Sequence, residues 1–117
     1  MKYTIIFILL VPSIVFPFDT GIDLKEICGK GQVAGSDLAC KVYIKGVIEG
    51  VSLGAKVTSF DITGEFVDYE FFCLPDGGTI DQYVAIVKKY IEGHPGIIHE
   101  PSPSLISLAI EEAFPCN

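Results

Sequence analysis

The sequence predicts one small, mainly helical domain braced by two disulfides. Three observations point there. With 117 residues the chain has room for a single hydrophobic core. Apolar residues recur at three- and four-residue spacing in several separate stretches, the period of a helix face. Four cysteines, Cys28, Cys40, Cys73 and Cys116, all lie beyond an N-terminal apolar run of the kind that directs export.

That run begins after a single cation, Lys2, and continues from Tyr3 to Leu10 and on through Val11, Ile14, Val15 and Phe16 to Phe18. Pro12, Pro17 and Asp19 leave it short of the roughly 20 apolar residues a membrane span needs. The expectation is therefore a cleaved signal peptide over residues 1–18, followed by a folded domain over 19–117. No clear A-x-A site marks the cut, which is bracketed between Val15 and Gly21.

Loss of Lys2 leaves seven lysines, no arginine and fifteen acidic residues, a net charge of −8. Such a surface repels nucleic-acid phosphate and anionic lipid headgroups and attracts a basic protein from a distance. Nucleic acid and membrane are thus not expected as partners of the exported chain. An even number of cysteines in a small exported domain implies two disulfides, in any of three connectivities. A thiol metal site is disfavoured, because no pair has C-x-x-C spacing and the closest cysteines are twelve residues apart.

The elements follow in order. Asp19 to Cys28 carries Ile22, Leu24 and Ile27 among charged residues, a short helix stopped by Gly29. The stretch GKGQVAG, residues 29–35, reads as a loop. Ser36 or Asp37 caps a long helix to about Lys56, with Ala39, Val42, Tyr43, Val47 and Val51 on its apolar face. Gly46, Gly50 and Gly54 form a second stripe on that helix. Each costs about 1 kcal/mol of helix propensity, which suggests that another helix of the chain, or else a partner subunit, crosses close to them.

From Val57 to Phe72 aromatic and β-branched residues alternate loosely with acids around Thr63-Gly64, so a short β-hairpin or irregular insert is expected around residues 57–72. Leu74-Pro75-Asp76-Gly77-Gly78 is a turn. Thr79 and Gln82 make a capping box for a helix ending near Gly93, with Tyr83, Val84, Ile86, Val87, Tyr90 and Ile91 on a broad apolar face. His94 to Pro103 holds three prolines and a glycine and is not regular helix. Ser102 as cap and Pro103 at the first helical position open a last helix, whose Leu105, Leu108, Ala109, Ala113 and Phe114 face inward.

Catalytic groupings are not convincing. His94 and His99, five residues apart and without a third ligand nearby, make a poor zinc site, and they read as turn or surface residues. Glu111 with Glu112, and Asp68 with Glu70, read as solvated faces. No cofactor is expected, and the chain is not expected to be an enzyme.

A series of short motifs then carries a resemblance: Cys40-x-x-Tyr43-Ile44-x-Gly46; Phe72-Cys73-x-Pro75; Gln82 followed by Val87-x-x-Tyr90 and His94-Pro95; and Ala109-x-x-x-Ala113-Phe114-Pro115-Cys116. In order and spacing, over roughly Leu38 to Cys116, the chain resembles the Rap1a/Tai family, exported immunity proteins that neutralise peptidoglycan amidases delivered by type VI secretion. It departs from the family pattern in the insert before Cys73 and in Pro103. The resemblance implies an all-α fold of about four helices, a periplasmic location, a homodimer, and steric occlusion of an amidase active site.

On that reading the contact surface has two candidates. One is the loop before the last helix, where Ile97 and Ile98 sit among His94, His99 and Glu100. Its bland counterpart is that at least one isoleucine covers the helix junction as core. The other is the acidic insert with Asp61, Glu65 and Asp68. Against immunity stand a general periplasmic binding protein or acid-stress chaperone of the small helical kind, and a small hydrolase with cell-wall activity of its own.

Overall fold

The computed structural model describes residues 20–29, 35–65 and 70–117. The expected signal peptide, most of the GKGQVAG loop, and Phe66 to Tyr69, including Asp68, lie outside the described residues. Among the described residues there are four helices, α1 (Gly21–Gly29), α2 (Ser36–Thr63), α3 (Ile80–Gly93) and α4 (Ser102–Ala113), and a 3₁₀ turn at Pro95–Ile97. No strand occurs among the described residues; their only β pairing is an isolated bridge between Thr20 and Pro101. The fold is all-α.

All four helices meet in one core of Leu24 and Cys28 from α1, Cys40, Ile44 and Ile48 from α2, Val87 and Ile91 from α3, and Leu105, Ile106, Ala109 and Ile110 from α4. Phe72, from the segment leading into α3, joins them. On α3 the expected face holds: Val87 and Ile91 are buried, and Tyr83, Val84, Ile86 and Tyr90 pack against the core edge. On α2 the buried line is Cys40, Ile44 and Ile48 at four-residue spacing, whereas Val42 is exposed. The inward face of α4 likewise includes Ile106 and Ile110, while Leu108 and Ala113 are exposed. The expected faces of α2 and α4 are thus found in large part, with Tyr43, Val47 and Val51 packed against the core, Leu105 and Ala109 buried and Phe114 at its edge; each face is centred on a neighbouring line of equally apolar residues.

Both disulfides form. Cys28–Cys40 ties the end of α1 to the first turns of α2, and Cys73–Cys116 ties the lead-in of α3 to the chain beyond α4. Beside the second bridge the Cys73 N–H donates to the Phe114 carbonyl at 2.9 Å. Phe114 meets Tyr83 edge-on, with ring centroids 5.9 Å apart.

Three helix ends differ from expectation or confirm it in instructive ways. Thr79 caps α3 as read, its hydroxyl accepting from the Gln82 N–H at 3.3 Å. For α2 the cap is Gly35 in the left-handed region, φ +87°, with no side-chain cap. Asp37 is engaged instead by Lys41, which bridges Asp37 and Asp81 at 2.9 Å each and so clips α2 to the start of α3. The hydrogen bonds from Lys41 to Asp81 and then Asp37 raise the lysine's pKa. The lysine therefore keeps its charge through the ordinary lysine range, and its half of the bridge is lost as pH rises through the raised value.

Ser102 is not a cap. Its side chain is fully buried and its hydroxyl pairs with the Tyr43 hydroxyl at 2.9 Å, a contact between α2 and the start of α4. Pro101 stands at the cap position, so α4 begins on backbone geometry alone.

The largest correction concerns residues 57–63. They continue α2 to Thr63 instead of turning into a hairpin, and Gly64, φ +72°, is the stop, its N–H donating to the Phe60 carbonyl at 2.7 Å. Extending an existing helix adds one hydrogen bond per residue ordered, and that outweighs a β preference worth only tenths of a kcal/mol per residue. Among the described side chains of α2 beyond Ile48 none is buried, and Leu53, Val57, Phe60 and Ile62 are exposed.

For the glycine stripe, a side chain at Gly46, Gly50 or Gly54 would meet nothing within 4 Å, so among the described residues no helix crosses close to it, and of the two expected neighbours a partner subunit is the one left.

Candidate functional site

The loop between α3 and α4 is an ordered, tightly bonded turn. α3 ends at Gly93 and its exit is held by His94, whose N–H donates to the Ile91 carbonyl at 3.3 Å. The His94 ring stacks on Tyr90, centroids 4.1 Å apart, while Nδ1 donates to the Tyr90 carbonyl at 2.8 Å. Pro95 sets the φ needed for the 3₁₀ turn. Successive short-range bonds then carry the chain round: Ile97 N–H to the His94 carbonyl at 3.2 Å, and Glu100 N–H to the Ile97 carbonyl at 3.0 Å.

Within this turn the two isoleucines divide. Ile98 packs against the core and closes the junction, whereas Ile97, also half-buried, is not part of that packing. His94, His99 and Glu100 are exposed, and His99 Nε2 lies 3.2 Å from the Glu100 carboxylate. The loop thus brings His94, Ile97, His99 and Glu100 into one stretch of surface on a fixed backbone.

The second candidate is elsewhere. Asp61 falls inside α2, its side chain outside the described part; Glu65 is exposed just past the Gly64 stop; Asp68 lies outside the described residues. Tyr43 touches Ser102 at the start of α4. Asp61 lies 18 residues further along the same helix, about 27 Å at 1.5 Å per residue, so the two candidate surfaces do not merge.

Near that far end lies an apolar groove lined by Val51, Gly54, Ala55, Thr58, Ser59, Ile62 and Phe71. A neighbouring one, over α4, shares Val51 and Phe71 and adds Leu108. Both grooves are lined mostly by apolar side chains.

As for chemistry, the only described group of three donors close enough to share a metal ion is Glu70, Cys73 and Cys116. Both sulfurs are committed to the disulfide and are unavailable as thiolate ligands. Among the described residues no helix is long and apolar enough to cross a membrane.

One set of residues escaped the sequence reading. Thr20 stands immediately before α1, and both its N–H and its hydroxyl donate to Asp23 Oδ2, at 3.0 and 2.9 Å. This is the reciprocal half of a capping box, and the signal was present as Thr20-x-x-Asp23 ahead of Leu24.

Comparison with known proteins agrees with this architecture. No curated protein and no solved structure matches the chain. The family model for Rap1a immunity proteins matches residues 20–116, from the cap of α1 to the second cysteine of the C-terminal disulfide. A match over that span takes in all four helices and both disulfides: the chain belongs to the Rap1a immunity protein family.

Proposed function

We propose that this protein is a periplasmic immunity protein that binds a type VI secreted peptidoglycan amidase and blocks its active-site cleft, protecting the producing cell and its sisters. The observation that carries the reading is the family match over residues 20–116. Residues 1–18 act as the signal peptide, and two disulfides suit the oxidising compartment it leads to. Blocking a cleft requires shape and a fixed backbone and needs no catalytic group. The turn carrying His94, Ile97, His99 and Glu100 supports this role, because its backbone bonds remove most of the ordering entropy a plug would otherwise lose on binding.

The exposed apolar half of α2 and its open glycine stripe support a homodimer, in which this face is covered by a second copy. On this basis Val57→Glu with Ile62→Glu converts a dimer to a monomer, read by light scattering on the purified chain. A wild type that is already monomeric contradicts the assignment.

Periplasmic co-expression tests the immunity role. A type VI amidase directed to the periplasm lyses the cell, and this chain, exported with it, prevents lysis and co-purifies with the enzyme. The same chain without residues 1–18 stays in the cytoplasm and leaves lysis unchanged. Lysis undiminished by the exported, disulfide-bonded protein counts against the proposal.

A further inference from the structure

The stretch just ahead of α1 touches the α3–α4 loop through backbone. The Gly21 N–H donates to the Glu100 carbonyl at 3.1 Å, and Thr20 pairs with Pro101 in the bridge. Gly21 is buried here for want of space: a Cβ on it would run into Leu105 Cδ1 and lie 2.8 Å from the Ile98 carbonyl oxygen and 3.2 Å from its Cα. Two of these obstacles are backbone, so any side chain at position 21 must push the loop itself. Thr20 is in turn fixed by its two bonds to Asp23, and the Leu24 N–H closes the first helical turn onto the Thr20 carbonyl at 3.1 Å.

Glu100 is thereby held from both sides, its N–H by Ile97 within the loop and its carbonyl by Gly21 from outside it. Ile98 is held by core packing and by the glycine beside it. His99 sits between these two fixed points, and Ile97, tied by its own N–H to the His94 carbonyl, directly precedes them.

We propose that Thr20, Gly21 and Asp23 are positioning residues for the α3–α4 loop, and that export processing leaves all three on the mature chain. The loop's part as contact surface rests on the proposed immunity role; the brace itself does not. Processing is hydrolysis of one peptide bond, with water consumed, a carboxylate left on the removed segment and an amine on the mature chain. A cut between Thr20 and Gly21 would place a charged ammonium on a buried residue. A cut after Gly21 would delete the donor to Glu100 altogether. The bond cleaved therefore lies ahead of Thr20, which narrows the Val15 to Gly21 bracket from its C-terminal side.

Two readouts on the full chain exported to the periplasm test this. Intact mass and N-terminal sequencing are expected to show a mature terminus at or before Thr20. A folded, disulfide-bonded protein beginning at Gly21 or later overturns the inference, and an unprocessed chain overturns the processing half together with the export reading. Amide hydrogen exchange reads the brace without any partner. Asp23→Ala is expected to speed exchange at Gly21 and Glu100 by roughly fivefold to tenfold, the equivalent of losing one helix cap. The core amides of Ile44 and Ile110 stay protected, and Asp23→Asn, which keeps an acceptor oxygen, behaves as wild type. A role confined to helix α1 would speed exchange from Leu24 to Cys28 and leave Glu100 unchanged, and that result overturns the positioning role.

Discussion

Removing the Cys73–Cys116 bridge by Cys73→Ala with Cys116→Ala is expected to lower the unfolding free energy by about 4 kcal/mol. The bridge spans 43 residues, and on the chain-entropy account a loop of that length constrains the unfolded state by about that amount. It also holds two pieces of non-helical chain against each other: the lead-in to α3, which inserts Phe72 into the core, and the tail after α4, which carries Phe114 onto Tyr83. The Cys28–Cys40 bridge spans only 12 residues, and its removal is expected to cost about 3 kcal/mol. Denaturant unfolding of the wild type and the two double mutants measures both. For a domain whose whole stability is of order 5–15 kcal/mol, either loss is a large share, and a larger loss from the shorter loop would contradict the account.

The second large effect is on binding. Ile97→Glu with Glu100→Lys is expected to weaken inhibition of a type VI peptidoglycan amidase by roughly 30-fold or more, about 2 kcal/mol, as for a hot-spot contact. Both side chains stand outside the core, the loop's backbone bonds and the His94 bond do not use them, and the His99–Glu100 contact that is lost is exposed and worth little, so the melting temperature should stay within a few degrees of wild type. Ile98→Ala is the control with the opposite signature. Because Ile98 packs against the core, its truncation is expected to cost stability of order 1 to 2 kcal/mol, the lower part of the core-substitution range, as it is only partly buried. Titration of the amidase with each variant, beside thermal melts, separates the two effects. Equal inhibition by wild type and the double variant would move the contact surface off this loop.

How far the sequence could be read follows from where local chemistry decides the outcome. Thr79 with Gln82, the apolar face of α3 and the proline-rich turn after Gly93 all depend on near neighbours, and each is found as expected. The extension of α2 to Thr63 was illegible because Phe60 and Ile62 suit a strand as well as a helix, and the decision belongs to propagation from the helix already formed. Thr63-Gly64 reads as a turn in the sequence, and in the fold the glycine serves as the helix stop.

The glycine stripe shows the opposite limit. Spacing alone says that three small residues share a face, and only the packing shows that none of the described residues closes on it. Ser102 misled for a related reason: a serine ahead of a proline is an ordinary cap, and its true partner, Tyr43, is 59 residues away in sequence.

In the candidate site the residues were legible and their division was not. Ile97 and Ile98 are identical in type and adjacent in sequence, and the 3₁₀ turn beginning at Pro95 sends only the second onto the core. The bracing of Glu100 by Gly21 joins positions 79 residues apart and could not be inferred from either neighbourhood.

The most direct test of the central claim is a titration of a purified type VI peptidoglycan amidase with the purified, oxidised protein, following release of cleaved stem peptides from peptidoglycan. The proposed role predicts inhibition that saturates at a fixed stoichiometry with a stable complex recovered by gel filtration. Cleavage that proceeds at the same rate at every ratio, with no complex formed by any amidase of the class, would contradict it.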